Sequence, residues 1–322
     1  MSDLITICLP TYRRPTLLSQ TLQSCFAQDY RPLEIDVADS SPNGDTRDMV
    51  EAMAPPEGVA LRYRRLPPDT EPQAKVIRLL AEARGRRLVI MHDDDVFLPG
   101  AIAALDEAFS SAPDVVIAYG REEIMNEAGE ILPEETEASQ AEAWRTADQA
   151  GLRRDLMVCA LSRQVPPNGF LIESDVMRKF GFRSRAEIGM AEDTDLGIRL
   201  AQAYRGSGAF AFIERLTTRR RLMRSSLGWT APDTCWQLYG EMAAMQGLSP
   251  EEERARAWTL RHCARSALRE NALGGRRREA LQVFRSPYYP WGEESAAKTL
   301  YSLGLLTVPR AVLALRRLSG AG

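Results

Sequence analysis

The acidic residues hold most of the chemistry this sequence offers. His92-Asp93-Asp94-Asp95 follows directly on the apolar run Leu88-Val89-Ile90-Met91. Three successive carboxylates repel one another unless a cation or helix amides compensate them. Mg2+ and Mn2+ prefer carboxylate and phosphate oxygens, and a site with one or two protein carboxylates leaves coordination positions for a diphosphate. The triplet also reads as solvated turn acids or caps of the next helix. Asp39 ends a second apolar run. A carboxylate only accepts hydrogen bonds, so Asp39 suits the donor groups of a nucleobase or ribose, or else it is a turn residue. Glu192-Asp193-Thr194-Asp195 opens a helical pattern. Asp193 there is a candidate general base toward a hydroxyl proton, and first-turn acids favoured by the helix dipole are the alternative.

Alternating strands and helices must position these acids. Leu4 to Leu9 reads as a strand, Pro10-Thr11-Tyr12-Arg13-Arg14-Pro15 as a loop, and Leu18, Leu22, Cys25 and Phe26 recur at helical spacing. Leu33 to Ala38 is a second strand ending in the turn formers Asp39 to Asp45, before a helix to about Met53. Val59 to Arg65 is a third strand, followed by a helix with Val76, Ile77, Leu80 and Ala83 on one face. Leu88 to Met91 is a strand covered on both sides, and Ile102, Leu105 and Phe109 mark the next helix. This rhythm predicts a mostly parallel α/β sheet that binds ligands outside its strands' carboxyl ends, where Asp39 and the triplet lie. Val115 to Tyr119 is a further strand, and the acidic stretch Glu127 to Gln149 is expected to be a loop or lid. Phe170 to Ile172 is a short strand, Ser174 is expected to cap the helix after it, and Leu196 to Tyr204 is helical.

Composition narrows the function classes. The 322 residues suggest roughly two domains, and 44% hydrophobic with 26% charged residues describes an ordinary globular chain. A net charge of −3 gives no global basic field, so nucleic acid is not an expected partner. Cys8, Cys25, Cys159, Cys235 and Cys263 are odd in number and include no Cys-x-x-Cys. A disulfide framework and a thiolate zinc site are therefore not expected, and the cysteines read as small core residues of a cytoplasmic protein. Neither a signal peptide nor a membrane span is read from the sequence. With only His92 and His262, no multi-histidine chemistry is expected.

In combination and order, Pro10-Thr11-Tyr12-Arg13-Arg14, Asp39, the aspartate triplet and Glu192-Asp193-x-Asp195-Leu196 resemble the family 2 inverting glycosyltransferases of GT-A fold, over about residues 4 to 230. The resemblance implies a Rossmann-like GT-A nucleotide-diphospho-sugar transferase fold with a mainly helical C-terminal extension. It implies a glycosyltransferase domain over 1–230, with a donor half to about 110 and an acceptor half over 111–230, and a basic helical region over 231–322. Tyr12 and Asp39 match nucleoside-binding positions, and Pro10, Arg14 and Lys75 join them on the donor side. Asp93, Asp94 and Asp95 match the DxD region for metal and diphosphate, with Asp94 and Asp95 as ligands of Mn2+ or Mg2+. Asn168 and Gly169 match the segment beside donor sugar and acceptor, and Asp193 matches the catalytic base. The implied partners are a nucleoside diphosphate sugar, UDP-linked by analogy, and a hydroxyl-bearing glycan or lipid-linked acceptor in polysaccharide biosynthesis.

The chain departs from that pattern at four points, one of them the region of Lys75, which is only partly alike. His92 stands where the usual first acid stands, Ser40 replaces an acid often following Asp39, and Thr217 to Ser226 holds Arg219, Arg220, Arg221 and Arg224 where relatives place a histidine. Assistance of the diphosphate by these arginines is one reading, and solvated strand residues the other. From Arg254 onward there are 13 Lys and Arg against 4 acids. Arg276-Arg277-Arg278 and the segment Tyr301 to Leu318 suit either the anionic inner face of a membrane or a packed helix pair with a basic outer face. Two further readings carry the same residues: a non-catalytic sugar-nucleotide-binding or glycan-binding scaffold, and a sugar nucleotidyltransferase, which lacks the expected glycine-rich phosphate loop.

Overall fold

Four short strands form the first half of the sheet: β1 (Ile5–Thr11), β2 (Leu33–Asp39), β3 (Val59–Arg65) and β4 (Arg87–Ile90). The computed structural model describes residues 2–189, 191–223, 236–291 and 296–309. These strands are parallel and lie in the order β3-β2-β1-β4, with helices Pro15–Phe26, Asp45–Glu51 and Pro72–Glu82 in the crossovers. Every residue of β2 and β4 is buried, as expected of strands covered on both faces. Ile5, Ile7, Leu9, Ile35, Val37 and Val89 meet Leu18, Leu22, Ile102, Leu105 and Phe109 in one core. The two inward acids of β2 are paired. Glu34 accepts from Thr6 Oγ1 at 3.0 Å and Arg62 Nη1 at 3.1 Å, and Asp36 accepts from Arg64 Nε at 3.0 Å. The chain runs from β1 outward to β3, then returns to place β4 on the other side of β1. The switch point between β1 and β4 is where open α/β sheets form a ligand crevice.

Beyond β4 the sheet is mixed rather than mostly parallel. The remaining strands are β5 (Val96–Phe97), β6 (Val115–Met125), β7 (Gly151–Arg153), β8 (Leu171–Glu173) and β9 (Ala209–Arg221). β8 runs antiparallel to both β4 and β6, β9 runs parallel to β6, and β5 and β7 pair antiparallel with β9. The reversal arises because β8 starts at the site edge, where Gly169 N–H donates to Ile90 O at 2.8 Å.

Three local expectations are corrected. The Glu127 to Gln149 stretch contains a helix, Pro133–Glu142. It is attached by polar contacts, with Gln140 Nε2 donating to Glu122 O at 2.9 Å and Ile124 N donating to Thr136 Oγ1 at 2.9 Å. Such a helix leaves no apolar stripe to read. Glu173, not Ser174, precedes the helix Ser174–Phe180, and the Ser174 hydroxyl instead donates to Gly85 O at 2.6 Å. Ile77 is 51% exposed, while Val76, Leu79 and Leu80 face the core.

Two units make up the chain, residues 1–183 with 193–224, and residues 184–192 with 225–322. The second holds helices Arg185–Ile188, Trp236–Ala244, Pro250–Leu273, Arg277–Arg285 and Ala296–Thr307. Pro250–Leu273 starts in a capping box where Glu252 N donates to Ser249 Oγ and Ser249 N donates to Glu252 Oε2. Phe284, Tyr289 and Trp291 pack together with ring centroids 4.6 to 4.9 Å apart. Cys8, Cys25 and Cys159 are buried free thiols. Among the described residues, no helix is long and apolar enough to cross a membrane. Met190, Arg224, Cys235 and the end of the basic segment, including Arg310, Val312, Leu313, Leu315, Arg316 and Arg317, lie outside the described residues.

Candidate active site

The loop after β1 meets the loop after β4. Thr11, the last residue of β1, donates its hydroxyl to Asp93 Oδ2 at 2.7 Å, and Tyr12 N–H reaches the same oxygen at 3.4 Å. Arg14 Nη1 lies 3.1 Å from Asp93 Oδ1 and 2.6 Å from Asp94 Oδ2. Asp93 is therefore held at both oxygens by the Pro10 to Arg14 segment. Burial raises the Asp93 carboxyl above its ordinary value, Asp94 adds to this, and Arg14 opposes it. The Asp94 carboxyl is raised as well, by burial and by the neighbouring Asp95.

The third aspartate is held from the far side of the sheet. Asp95 is 1% exposed and accepts from Asn168 Nδ2 at 2.8 Å through Oδ2 and from Arg221 N–H at 2.7 Å through Oδ1. Asn168 Nδ2 also lies 3.1 Å from His92 Nδ1, which is 3.5 Å from Asp95 Oδ2. Burial works against a charged His92 imidazole, but Asp95, then Asp94 and Asp93, outweigh it and raise its pKa to about 9. His92 thus belongs to the cluster, rather than merely to the packing around it. Among the described residues, the arginines of the run are engaged within the protein. Arg219 pairs with Glu123, and Arg220 reaches Ser139. Arg221 donates from Nε to Asp94 O at 3.0 Å, from Nη1 to Glu127 O at 3.0 Å, and from Nη2 to Gln20 Oε1 at 2.8 Å. Arg221 braces the aspartates, and its guanidinium is not free for a diphosphate. Sequence reasoning noted the run without this role, which depends on β9 ending beside β4.

A second group gathers around Thr11, Tyr12 and Asp39. Thr11 and Asp39 are register partners across β1 and β2. Asp39 is fully buried; its Oδ1 accepts from Ser41 N–H at 2.8 Å and Ser41 Oγ at 2.5 Å, and its Oδ2 accepts from Tyr63 OH at 2.7 Å. A carboxylate has about four acceptor positions, so capacity for a ligand donor is left. Lys75 Nζ donates to Thr11 O at 2.8 Å and lies 5.6 Å from the Tyr12 ring centroid. Burial lowers the Lys75 pKa, while Asp93 and Asp39 support its charge. The Tyr12 hydroxyl donates to Asp69 Oδ1 at 2.5 Å. Thr11, Ser41, Tyr63 and Asp69 were missed as site residues. Only Thr11 left a signal, as the strand-end residue between Pro10 and Tyr12.

Gly169 has φ +73°, and a Cβ there would lie 2.5 Å from Thr218 Cγ2. The absent side chain lets the Asn168 segment press against β9. Asp193 is in the first turn of Glu192–Ala203, with its carboxyl raised by burial and lowered in part by Arg163. Glu122 acts on it as a like charge. Asp195 is structural, held by Arg183 Nη1 at 3.0 Å and Arg199 Nε at 2.8 Å.

The donor set fits a divalent ion. Ligand atoms of His92, Asp94 and Asp95 lie within 4.8 Å of one another. Asn168 Oδ1, on a side chain 1% exposed, has no hydrogen-bond partner, although its amide nitrogen touches both His92 and Asp95.

Comparison with known proteins bears on the family and the fold. Residues 6–162 match the family model described as Glycosyl transferase family 2. A stretch of 101 residues is 27% identical to the GalNAc(5)-diNAcBac-PP-undecaprenol beta-1,3-glucosyltransferase of Campylobacter jejuni, covering 31% of this chain and 33% of that protein. Another of 120 residues is 30% identical to an uncharacterized protein of Mycobacterium tuberculosis, covering 36% and 35%. The chain spans about a third of the length of these curated relatives. Among solved structures, S. aureus TarS 1-349 in complex with UDP-GlcNAc superposes with a TM-score of 0.60 at 14% identity, over 88% of this chain and 79% of that one. The mannosyltransferase PcManGT from Pyrobaculum calidifontis, in complex with GDP-Man and Mn2+, superposes with a TM-score of 0.55 at 16% identity, over 98% and 87%. At these identities the superpositions establish the fold.

Proposed function

This chain carries a family 2 glycosyltransferase domain of GT-A fold, and from its strand-end geometry we propose that it moves a sugar from a nucleoside diphosphate sugar to a hydroxyl acceptor, with inversion and divalent-metal dependence. One observation carries this reading. Asp93, Asp94 and Asp95 are gathered with Thr11, Arg14 and Asn168 at the β1/β4 switch point, where a nucleotide-binding α/β sheet places its ligand.

In this reading Pro10, Tyr12, Arg14, Asp39 and Lys75 hold the nucleoside and diphosphate end, and Asp93 fixes the loop that presents them. Asn168 and Gly169 form the wall beside the transferred sugar. Asp94 and Asp95, with His92 in reach, would hold Mn2+ or Mg2+. When bound, such an ion neutralises charge growing on the departing nucleoside diphosphate. Asp193 takes the acceptor's hydroxyl proton as that oxygen attacks the anomeric carbon, and the bond to the diphosphate breaks with its electron pair leaving on the diphosphate. The Asp193 carboxyl, raised by burial, is suited to accept a proton.

The donor favoured by family likeness is UDP-linked. TarS was solved with UDP-GlcNAc and PcManGT with GDP-Man. The Campylobacter relative is named for a PP-undecaprenol-linked acceptor, which supports a glycan or lipid-linked acceptor here; a cytoplasmic enzyme working at the inner membrane face goes with that proposal. Exposed Leu300, Leu303 and Val308 in the basic C-terminal region support peripheral contact with an anionic bilayer.

A thermal-shift screen of nucleoside diphosphate sugars with and without Mn2+ tests the reading. A UDP-linked donor is expected to raise Tm most when Mn2+ is present. Absence of a shift with every donor would contradict it.

A further inference from the structure

The strand-end cluster already holds a cation, and that cation is part of the chain. One nitrogen, Arg14 Nη1, lies 3.1 Å from Asp93 Oδ1 and 2.6 Å from Asp94 Oδ2. The two acid side chains are 9% and 10% exposed, so solvent screens this contact poorly. Asp93 Oδ2 is engaged by Thr11 and Tyr12, and both Asp95 oxygens by Arg221 and Asn168, so Asp94 is the acid of the triplet whose Oδ2 Arg14 alone holds among the described residues. Asp94 Oδ2 is held by Arg14, whose guanidinium sits on a flexible arm just before the helix Pro15–Phe26. Asn168 Oδ1, buried and unpartnered beside His92 and Asp95, marks the cluster as a place with coordination capacity still unused.

A guanidinium and a divalent ion cannot both sit against one carboxylate oxygen without strong repulsion. We propose that Arg14 is a resident counter-cation of the cluster, and that a divalent ion binds by displacing its guanidinium from Asp94. The inference rests on the reading above that this cluster takes a divalent ion. It has two consequences. The metal-free protein keeps its acids neutralised and folded, and it binds the ion weakly as long as Arg14 stays in place. An anionic ligand that draws Arg14 away raises the ion affinity, because the freed fork of N–H donors pairs well with phosphate or carboxylate.

The test is Mn2+ binding to the chelator-stripped full chain, followed by electron paramagnetic resonance of free Mn2+, in the wild type and in Arg14→Gln, Arg14→Lys and Asp94→Asn. Arg14→Gln is expected to bind Mn2+ about tenfold more tightly than wild type, the scale set by removing one partly buried competing charge. Arg14→Lys, which keeps the charge, should stay close to wild type. As a second readout, Mn2+ should raise the Tm of Arg14→Gln more than that of wild type. Equal or weaker Mn2+ binding by Arg14→Gln, or Arg14→Lys behaving as Arg14→Gln does, overturns the proposal. The Asp94→Asn arm separates the two levels. If Asp94→Asn loses Mn2+ while Arg14→Gln is unchanged, the counter-cation proposal alone fails. If Asp94→Asn binds Mn2+ as wild type does, the metal site of the functional reading fails with it.

Discussion

The backbone N–H of Arg221 donates to Asp95 Oδ1 at 2.7 Å across 126 residues of sequence, tying the end of β9 to the acidic loop that follows β4. The same residue's side chain reaches Asp94 O, Glu127 O and Gln20 Oε1. One arginine thus fixes the aspartate loop, the first helix and the start of the acidic insertion together.

Replacing Arg221 by leucine keeps the backbone bond to Asp95 but removes the guanidinium contacts. Net hydrogen bonds from a charged group contribute about 1.5–3 kcal/mol each, and such losses are not additive within one network. The expected cost is about 2–4 kcal/mol in urea unfolding, with a weakened response of Tm to Mn2+. A loss below about 0.5 kcal/mol would show that the aspartate loop holds itself in place.

Gly169→Ala places a Cβ 2.5 Å from Thr218 Cγ2, on a backbone at φ +73°. Overpacking and a left-handed backbone conformation each cost on the order of 1–3 kcal/mol. Combining Gly169→Ala with Thr218→Ser removes the offending methyl and should recover the steric part only. Full recovery in the double variant would mean that the backbone conformation carries no penalty. No recovery would mean that the methyl is not the obstacle.

Much of this placement was legible in the sequence. The unbroken run Leu88 to Met91 declared a doubly covered strand, and its direct passage into His92-Asp93-Asp94-Asp95 put the acids at a strand end. Pro10, Tyr12 and Arg14 were expected from the family resemblance of the segment after the first strand, and that segment does meet the acidic loop, with Tyr12 N–H at Asp93 and Arg14 at Asp93 and Asp94. Contacts set by tertiary register were not legible. That Tyr63 would cap Asp39 depends on β2 pairing with β3, and that Arg221 would reach Asp95 depends on where a strand of 13 residues ends. The helix Pro133–Glu142 escaped because Thr136 and Gln140, not an apolar stripe, attach it. Ile77 was misplaced because a mixed apolar helix of 11 residues offers more than one plausible face.

Burial raises the Asp193 carboxyl above its ordinary value near 3.8, so the native protein holds that proton more tightly than the unfolded chain does. The resulting stabilisation is present at low pH and is lost as pH rises through the native value. Asp193→Asn is therefore expected to leave Tm unchanged or higher at pH 7. As a base, Asp193 must be deprotonated, so kcat/KM should fall on the acid side through a pKa above 3.8. Asp193→Asn should remove that limb and lower kcat by about 10²–10⁴-fold, with donor binding retained. An acid limb that persists in Asp193→Asn would assign the base elsewhere.

The central claim is that aspartates distant in sequence serve one bound donor through a divalent ion. Its most direct measurement is the rate of nucleoside diphosphate release from a UDP-linked sugar at increasing Mn2+, in wild type, Asp94→Asn and Asp193→Asn. The expected result is release that a chelator stops and Mn2+ restores, that Asp94→Asn loses at every Mn2+ concentration reached, and that Asp193→Asn loses while still binding donor. Chelator-insensitive release, with both variants turning over at the wild-type rate, would contradict the account.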